Sequence, residues 1–220
     1  MLSAENLSLI ESEGMRLVAA CRRDPERAVP QYPGWTLADL ASHTASIHGR
    51  TTMICEDLPT GRISAPRLPD GMDPIDWCQQ NLQEMLDALR KVDPTTPSWA
   101  FGDNQVVGFW ETRMLIETAV HRWDAEQAFG HPETLHTRVA EAGLDEFDDL
   151  WLSSLGDVQT LKVTASDVGR SWTYGEGEPR TTIDGPASEL YLRLVSRPSL
   201  VDLPGDWTEA VDAQVPPPKR

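Results

Sequence analysis

Glu117 and His121 stand four residues apart in a segment whose apolar residues recur at helical spacing. Four residues make about one turn, so a carboxylate and an imidazole share one helix face. On a helical wheel both fall inside the stripe that carries Val106, Trp110, Met114, Ala125 and Ala128. A charged Glu on a core face costs free energy unless it is paired or binds a cation. Joint coordination of one divalent metal is the chemistry such a couple could do; a plain Glu–His hydrogen bond would also satisfy both groups. Arg113 and Asp124 border the stripe and could steady the ligands or face a substrate. A third ligand has to come from another helix, and the candidates are His43 and His48. His43 lies on the flank of its helix's apolar arc, whereas His48 shares a face with Leu37 and Thr44 and reads as slightly more buried, so the wheel does not select His43. His131 and His136 flank Pro132 in a loop and read as solvent-exposed.

The elements that must position these residues follow from periodicity and breakers. Residues 4–23 read as a helix that Asp24-Pro25 ends. Thr36, with Asp39 three residues on, has capping-box spacing and opens a helix that runs to about Asp57. A Pro- and Gly-rich loop over 58–74 leads to a third helix near 74–92, a fourth near 104–129 and a fifth near 134–154. Helices joined this way suggest an antiparallel bundle. After Gly156 the period changes to alternation, at Leu161, Val163 and Ala165, then Trp172 and Tyr174, then Thr181 and Ile183. Pro186 opens a short amphipathic helix with Leu190, Leu192, Leu194 and Val195, followed by an apolar Leu200-Val201 and a Pro216-Pro217-Pro218 tail. The expected fold is α+β: a helical bundle over 1–155, then a small antiparallel sheet with one helix over 156–220.

Composition bounds the function classes. The 220 residues are 40% hydrophobic with eight Trp, enough for a real core. The net charge of −16 disfavours nucleic acid and anionic membrane as partners. No apolar run is long enough to span a bilayer, and the Met1-Leu2-Ser3-Ala4-Glu5 start does not read as a signal peptide. Cys21, Cys55 and Cys78 are odd in number and lack a Cys-x-x-Cys pair, so neither a disulfide framework nor a thiolate zinc site is expected, and a reducing cytoplasm is the default location.

Two stretches carry a family resemblance. Pro33-Gly34-Trp35-Thr36-Leu37-Ala38-Asp39-Leu40-Ala41-Ser42-His43 resembles the P-G-W-x-x-x-D-L-x-x-H opening of the mycothiol-dependent maleylpyruvate isomerase family. Glu117-Thr118-Ala119-Val120-His121-Arg122-Trp123-Asp124-Ala125 is similar to its E-x-x-x-H-R-W-D-A hallmark. The resemblance implies a DinB-like four-helix bundle holding a divalent metal on His43, Glu117 and His121, and so settles the His43/His48 tie. Leu161 to Asp167, Trp172, Ile183 to Ala187, Leu194 to Arg197 and Gly205-Asp206 look like the family's small sterol-carrier-like domain. There Arg197 matches an arginine with a proposed role in activity, although Ser196 stands where Gly is usual. A cation favoured by the C-terminal end of a helix dipole would explain Arg197 equally well.

Two His and one carboxylate leave open coordination positions, the pattern of catalytic zinc, with Fe(II), Ni and Co also compatible. The cysteines sit at no obvious catalytic position, so a thiol would come from outside the chain; the resemblance implies mycothiol. The resemblance implies that a metal-bound thiolate adds to a small electrophilic substrate, either to isomerise a cis double bond or to leave a thioether, with Arg197 and Arg113 holding substrate carboxylates. The alternative is a non-catalytic small-molecule or lipid-binding protein with a structural or vestigial metal site. A metal-sensing regulator would need a basic DNA-reading element, which the sequence lacks.

Overall fold

The computed structural model describes residues 4–214; the Pro216-Pro217-Pro218 tail lies outside the described residues. The chain divides into two compact units, residues 1–133 and 134–220.

The first unit is built from α1 (Ala4–Arg23), α2 (Leu37–Asp57), α3 (Pro74–Lys91) and α4 (Val107–Gln127). α2 packs most extensively on α3, and α1 on α4, with α1–α3 and α2–α4 contacts closing the bundle. The start of α2 is fixed reciprocally: Thr36 Oγ1 accepts from Asp39 N at 3.2 Å, and Asp39 Oδ2 accepts from Thr36 N at 2.9 Å. The turn before it uses Pro33 and Gly34, with Gly34 at φ 81°, and Trp35 N closes it on Tyr32 O at 2.9 Å. Pro in the first central place and Gly with positive φ in the second are what a type II turn requires. α3 is capped by Asp73, which accepts from Ile75 N and Asp76 N, with Pro74 in the first turn. α4 is buried on nearly every side, at 15 of its 21 residues, so the one-sided stripe read from its sequence is too narrow a description. No helix among the described residues is long and apolar enough to cross a membrane.

The second unit holds α5 (Thr137–Leu150), a short 3-10 turn, β1 (Leu161–Ala165), β2 (Arg170–Tyr174), β3 (Thr181–Gly185), α6 (Ala187–Leu194) and α7 (Gly205–Gln214). The sequence reading counted α5 with the bundle; it packs on α6 and β2, in the second unit. The sheet is mixed where an antiparallel one was expected. Its order is β2-β1-β3, with β2 antiparallel and β3 parallel to β1. Alternation reports which face is buried and carries no strand direction. Here the segment 175–180 crosses the end of β1, guided by Arg180 N on Thr160 O at 2.9 Å, and delivers β3 to the far edge. α7 went unread in the sequence; Trp207 and Val211, four apart and buried, are its signal.

α6 starts under Asp167, whose Oδ1 accepts from Ala187 N at 2.9 Å. It ends in a Schellman motif: Arg197 N bonds Leu192 O at 2.8 Å and Ser196 N bonds Arg193 O at 3.1 Å, with Ser196 at φ 62°. That left-handed position explains why Gly is the usual residue there, and Ser196 Oγ is held on Asp212 Oδ1 at 3.1 Å. Gly143 of α5 is required by packing, since a Cβ there would lie only 2.4–2.6 Å from atoms of the Tyr191 ring of α6. Gly143→Ala is expected to lower the denaturant stability of this unit by about 1–3 kcal/mol, even though alanine is the better helix former. An unchanged unfolding midpoint would show that α6 can shift freely.

Candidate functional site

The site forms where α2, α4 and the Tyr32–Trp35 turn meet. His121 of α4 is 3% exposed. Its Nδ1 lies 3.2 Å from Asp124 Oδ2, one turn further on, and the carboxylate, itself fully buried, can only accept, so Nδ1 carries the proton. Tyr32 Oη donates to the same oxygen at 3.3 Å. Nε2 therefore faces the other way, 3.3 Å from Glu117 Oε2, and is buried without a hydrogen-bond partner. A bare imidazole lone pair facing a carboxylate oxygen is unfavourable without a proton or a cation between them. Two ligand atoms held tetrahedrally by one zinc are themselves about 3.3–3.4 Å apart, which this pair already matches. The donor pair therefore fits a divalent metal, with Asp124 orienting His121 from behind.

His43 of α2 supplies the facing wall. Its ring centroid is 5.2 Å from that of His121, edge to face, and 5.4 Å from Trp35. Among the described residues no three His, Cys, Asp or Glu side chains are already drawn together as a finished ligand cage. The preassembled element is the Glu117–His121 couple. His48 turns elsewhere: it is fully buried, with Nε2 2.9 Å from Thr118 Oγ1, and no carboxylate comes within ion-pair distance of it among the described residues. His131 and His136 are exposed, and His136 caps α5.

Burial and neighbouring charges set the protonation states of four groups here. Burial, and then the neighbouring His121, push the His43 imidazole down to about 4, so it is neutral at neutral pH. Burial and His121 take His48 down to about 3. For Glu117 burial opposes ionisation, but the Arg113 guanidinium and His121 outweigh it and hold the carboxyl well below its usual range. For His121 burial opposes the charged form, and Asp124 and Glu117 outweigh it and raise the value. Arg113 is 8% exposed and ion-paired to Glu117 Oε1, the oxygen turned away from His121.

Neighbouring residues of the same motif do structural work. Arg122, fully buried, bonds Glu13 Oε2 of α1 at 2.5 Å, Glu126 Oε2 at 3.0 Å and Glu133 O at 2.6 Å. Arg16 of α1 joins the network through Glu126 Oε1 at 2.6 Å. Cys21, Cys55 and Cys78 are all buried, and burial pushes the Cys55 and Cys78 thiols up to about 12 and Cys21 higher still, so none is a thiolate at neutral pH. In the second unit Arg197 is 6% exposed and donates from Nη1 to Val195 O at 2.7 Å, at the end of α6. A residue that sequence reasoning passed over is Arg50, on the same face of α2 as His43, with its guanidinium over Trp110 and Phe101. Its i+7 spacing from His43 was the available signal.

Comparison with known proteins gives these residues a lineage. The family model of the mycothiol maleylpyruvate isomerase N-terminal domain matches residues 7–126, which include His43, Glu117 and His121. The fold is similar to the crystal structure of the mycothiol-dependent maleylpyruvate isomerase, with a TM-score of 0.72 at 13% identity, covering 91% of this chain and 94% of that one. A crystal structure of a point mutant of the mycothiol-dependent maleylpyruvate isomerase gives 0.71 at the same identity and coverage. No curated protein matches by sequence. At this identity the structural likeness speaks for the fold, while the family match extends over more than half of the chain. The chain belongs to the mycothiol maleylpyruvate isomerase N-terminal domain family.

Proposed function

We propose that the protein is a metal-dependent enzyme that activates a low-molecular-weight thiol, mycothiol, against a small electrophilic substrate. The observation that carries this reading is the buried His121 Nε2, without a hydrogen-bond partner and 3.3 Å from Glu117 Oε2, while Asp124 holds the opposite ring nitrogen. His43, Glu117 and His121 would hold the ion, zinc as first choice; two imidazoles and a carboxylate leave positions open, as catalytic sites do. When bound, a divalent cation lowers the pKa of a coordinated thiol so that it is a thiolate at neutral pH. The chain's part is positional. Asp124 fixes the His121 tautomer, Arg113 keeps Glu117 ionised and aimed, and burial keeps His43 neutral. The buried, protonated cysteines support a nucleophile supplied from outside.

On a cis alkene conjugated to a carbonyl the thiolate would form a C–S bond at one alkene carbon while the π pair moves onto the carbonyl as an enolate; the resulting single bond rotates, and the returning pair expels the thiolate and restores the double bond as trans. In thiol transfer the thioether would be the product. Arg197 keeps the role in activity that the resemblance implies, as part of this proposal. The test is to load the purified protein with zinc, add maleylpyruvate with and without mycothiol, and follow isomerisation by absorbance and thioether formation by mass spectrometry. The expected result is conversion that needs both thiol and metal. Complete inactivity toward maleylpyruvate together with no thiol binding would overturn the reading.

A further inference from the structure

Arg50 is an anomaly in an acidic protein. The chain carries 35 Asp and Glu against 19 Lys and Arg, yet among the described residues no carboxylate lies within ion-pair distance of Arg50, and its Nε is buried without a hydrogen bond. The buried arginines of this unit are paired: Arg113 with Glu117, Arg122 with Glu13 and Glu126. Arg50 is half-buried, and a guanidinium whose Nε is cut off from water without an anion costs free energy that something must offset.

What surrounds Arg50 is an aromatic platform. Its guanidinium carbon lies 5.4 Å from the Trp110 ring centroid and 5.6 Å from that of Phe101. Those rings pack on each other and on Trp99 and Phe109, with centroids 5.1–6.2 Å apart. Stacking fixes the plane of the guanidinium and leaves its edge donors to form the paired hydrogen bonds that match a carboxylate. The charges in range are Arg62, Arg113 and Glu117, and Glu117 is already bound by Arg113. The local balance is thus positive in a chain whose net charge is −16. Arg50 is two turns beyond His43 on α2, about 10 Å along the axis. Trp110, Arg113 and Glu117 follow the matching face of α4 back toward His121.

We propose that Arg50, steadied on Trp110 and Phe101, binds a carboxylate of the electrophilic substrate and so orients it toward His43, Glu117 and His121. This inference rests on the functional reading above. The test is calorimetric titration of the zinc-loaded protein with maleate, dimethyl maleate and inorganic phosphate, for wild type, Arg50→Gln and Arg50→Lys. The expected result is that Arg50→Gln weakens maleate about ten- to a hundredfold, that Arg50→Lys falls between, and that the diester binds all three proteins alike. Zinc content and melting temperature stay at wild-type values. Equal maleate affinity in wild type and Arg50→Gln overturns the proposal, as does phosphate binding in place of maleate. The two readings separate cleanly. Arg50-dependent maleate binding without thiol-dependent turnover sinks the enzymatic reading alone; turnover with an unchanged substrate KM in Arg50→Gln sinks the carboxylate subsite alone.

Discussion

His121→Ala, reconstituted with zinc and dialysed, is expected to retain less than about a tenth of the metal held by the wild type, with thiol-dependent turnover falling in parallel. The variant deletes the one donor whose position is set from both sides, by Asp124 at 3.2 Å and by Glu117 at 3.3 Å. In the proposed site the two remaining ligands, on different helices, would not close a catalytic zinc site, which needs three protein donors. Asp124→Asn is the subtler companion. It keeps the volume but removes the charge behind the imidazole and frees the tautomer, and the expected loss of metal affinity is about 10–100-fold. His48→Ala is the control. Its ring is tied to Thr118, so it should lower stability while leaving zinc stoichiometry intact. Elemental analysis of the three variants decides the matter, and full zinc occupancy in His121→Ala would remove the metal centre from the account.

The second large effect concerns a neighbour that faces the opposite way. Arg122→Ala should lower the unfolding free energy by about 3–5 kcal/mol, because it strands the Glu13 carboxylate in the interior. Glu13 is only 4% exposed, so water does little to screen it. The double variant Arg122→Met with Glu13→Leu should recover most of that loss, since two apolar groups need no partners. Urea denaturation of the single and double variants measures both numbers. A loss below about 1 kcal/mol for Arg122→Ala would mean that water reaches Glu13 in the variant.

Much of the bundle was legible because its signals are local. The Thr36–Asp39 box and the Asp24-Pro25 stop act within a few residues, and the structure uses both as read, with α1 ending at Arg23. The sheet was legible as strands and not as a topology, because a parallel β3 and an antiparallel one bury the same alternate residues. At the site, the wheel ranked His48 above His43 by burial, and it is indeed fully buried. Burial and placement differ, however: His48 turns to Thr118, and it is His43 whose ring stands opposite His121. The H-R-W-D stretch looked like one functional string. Three-dimensional placement splits it, with His121 and Asp124 toward the site and Arg122 toward α1. Arg50 stayed unread because its meaning lies in what is missing around it, and a sequence does not display absences of that kind.

That division of α4 has a mechanical consequence. Successive residues on a helix point about 100° apart, so anchoring Arg122 to α1 also sets the roll angle of the whole rod. A side-chain tip rides about 6 Å from the axis, so a slip of about 10° would carry His121 and Glu117 sideways by about 1 Å. Displacements of that size are enough to cost about two orders of magnitude in a positioned reaction. Glu13, on a different helix and turned away from the chemistry, thereby acts as the detent that keeps the working face in register.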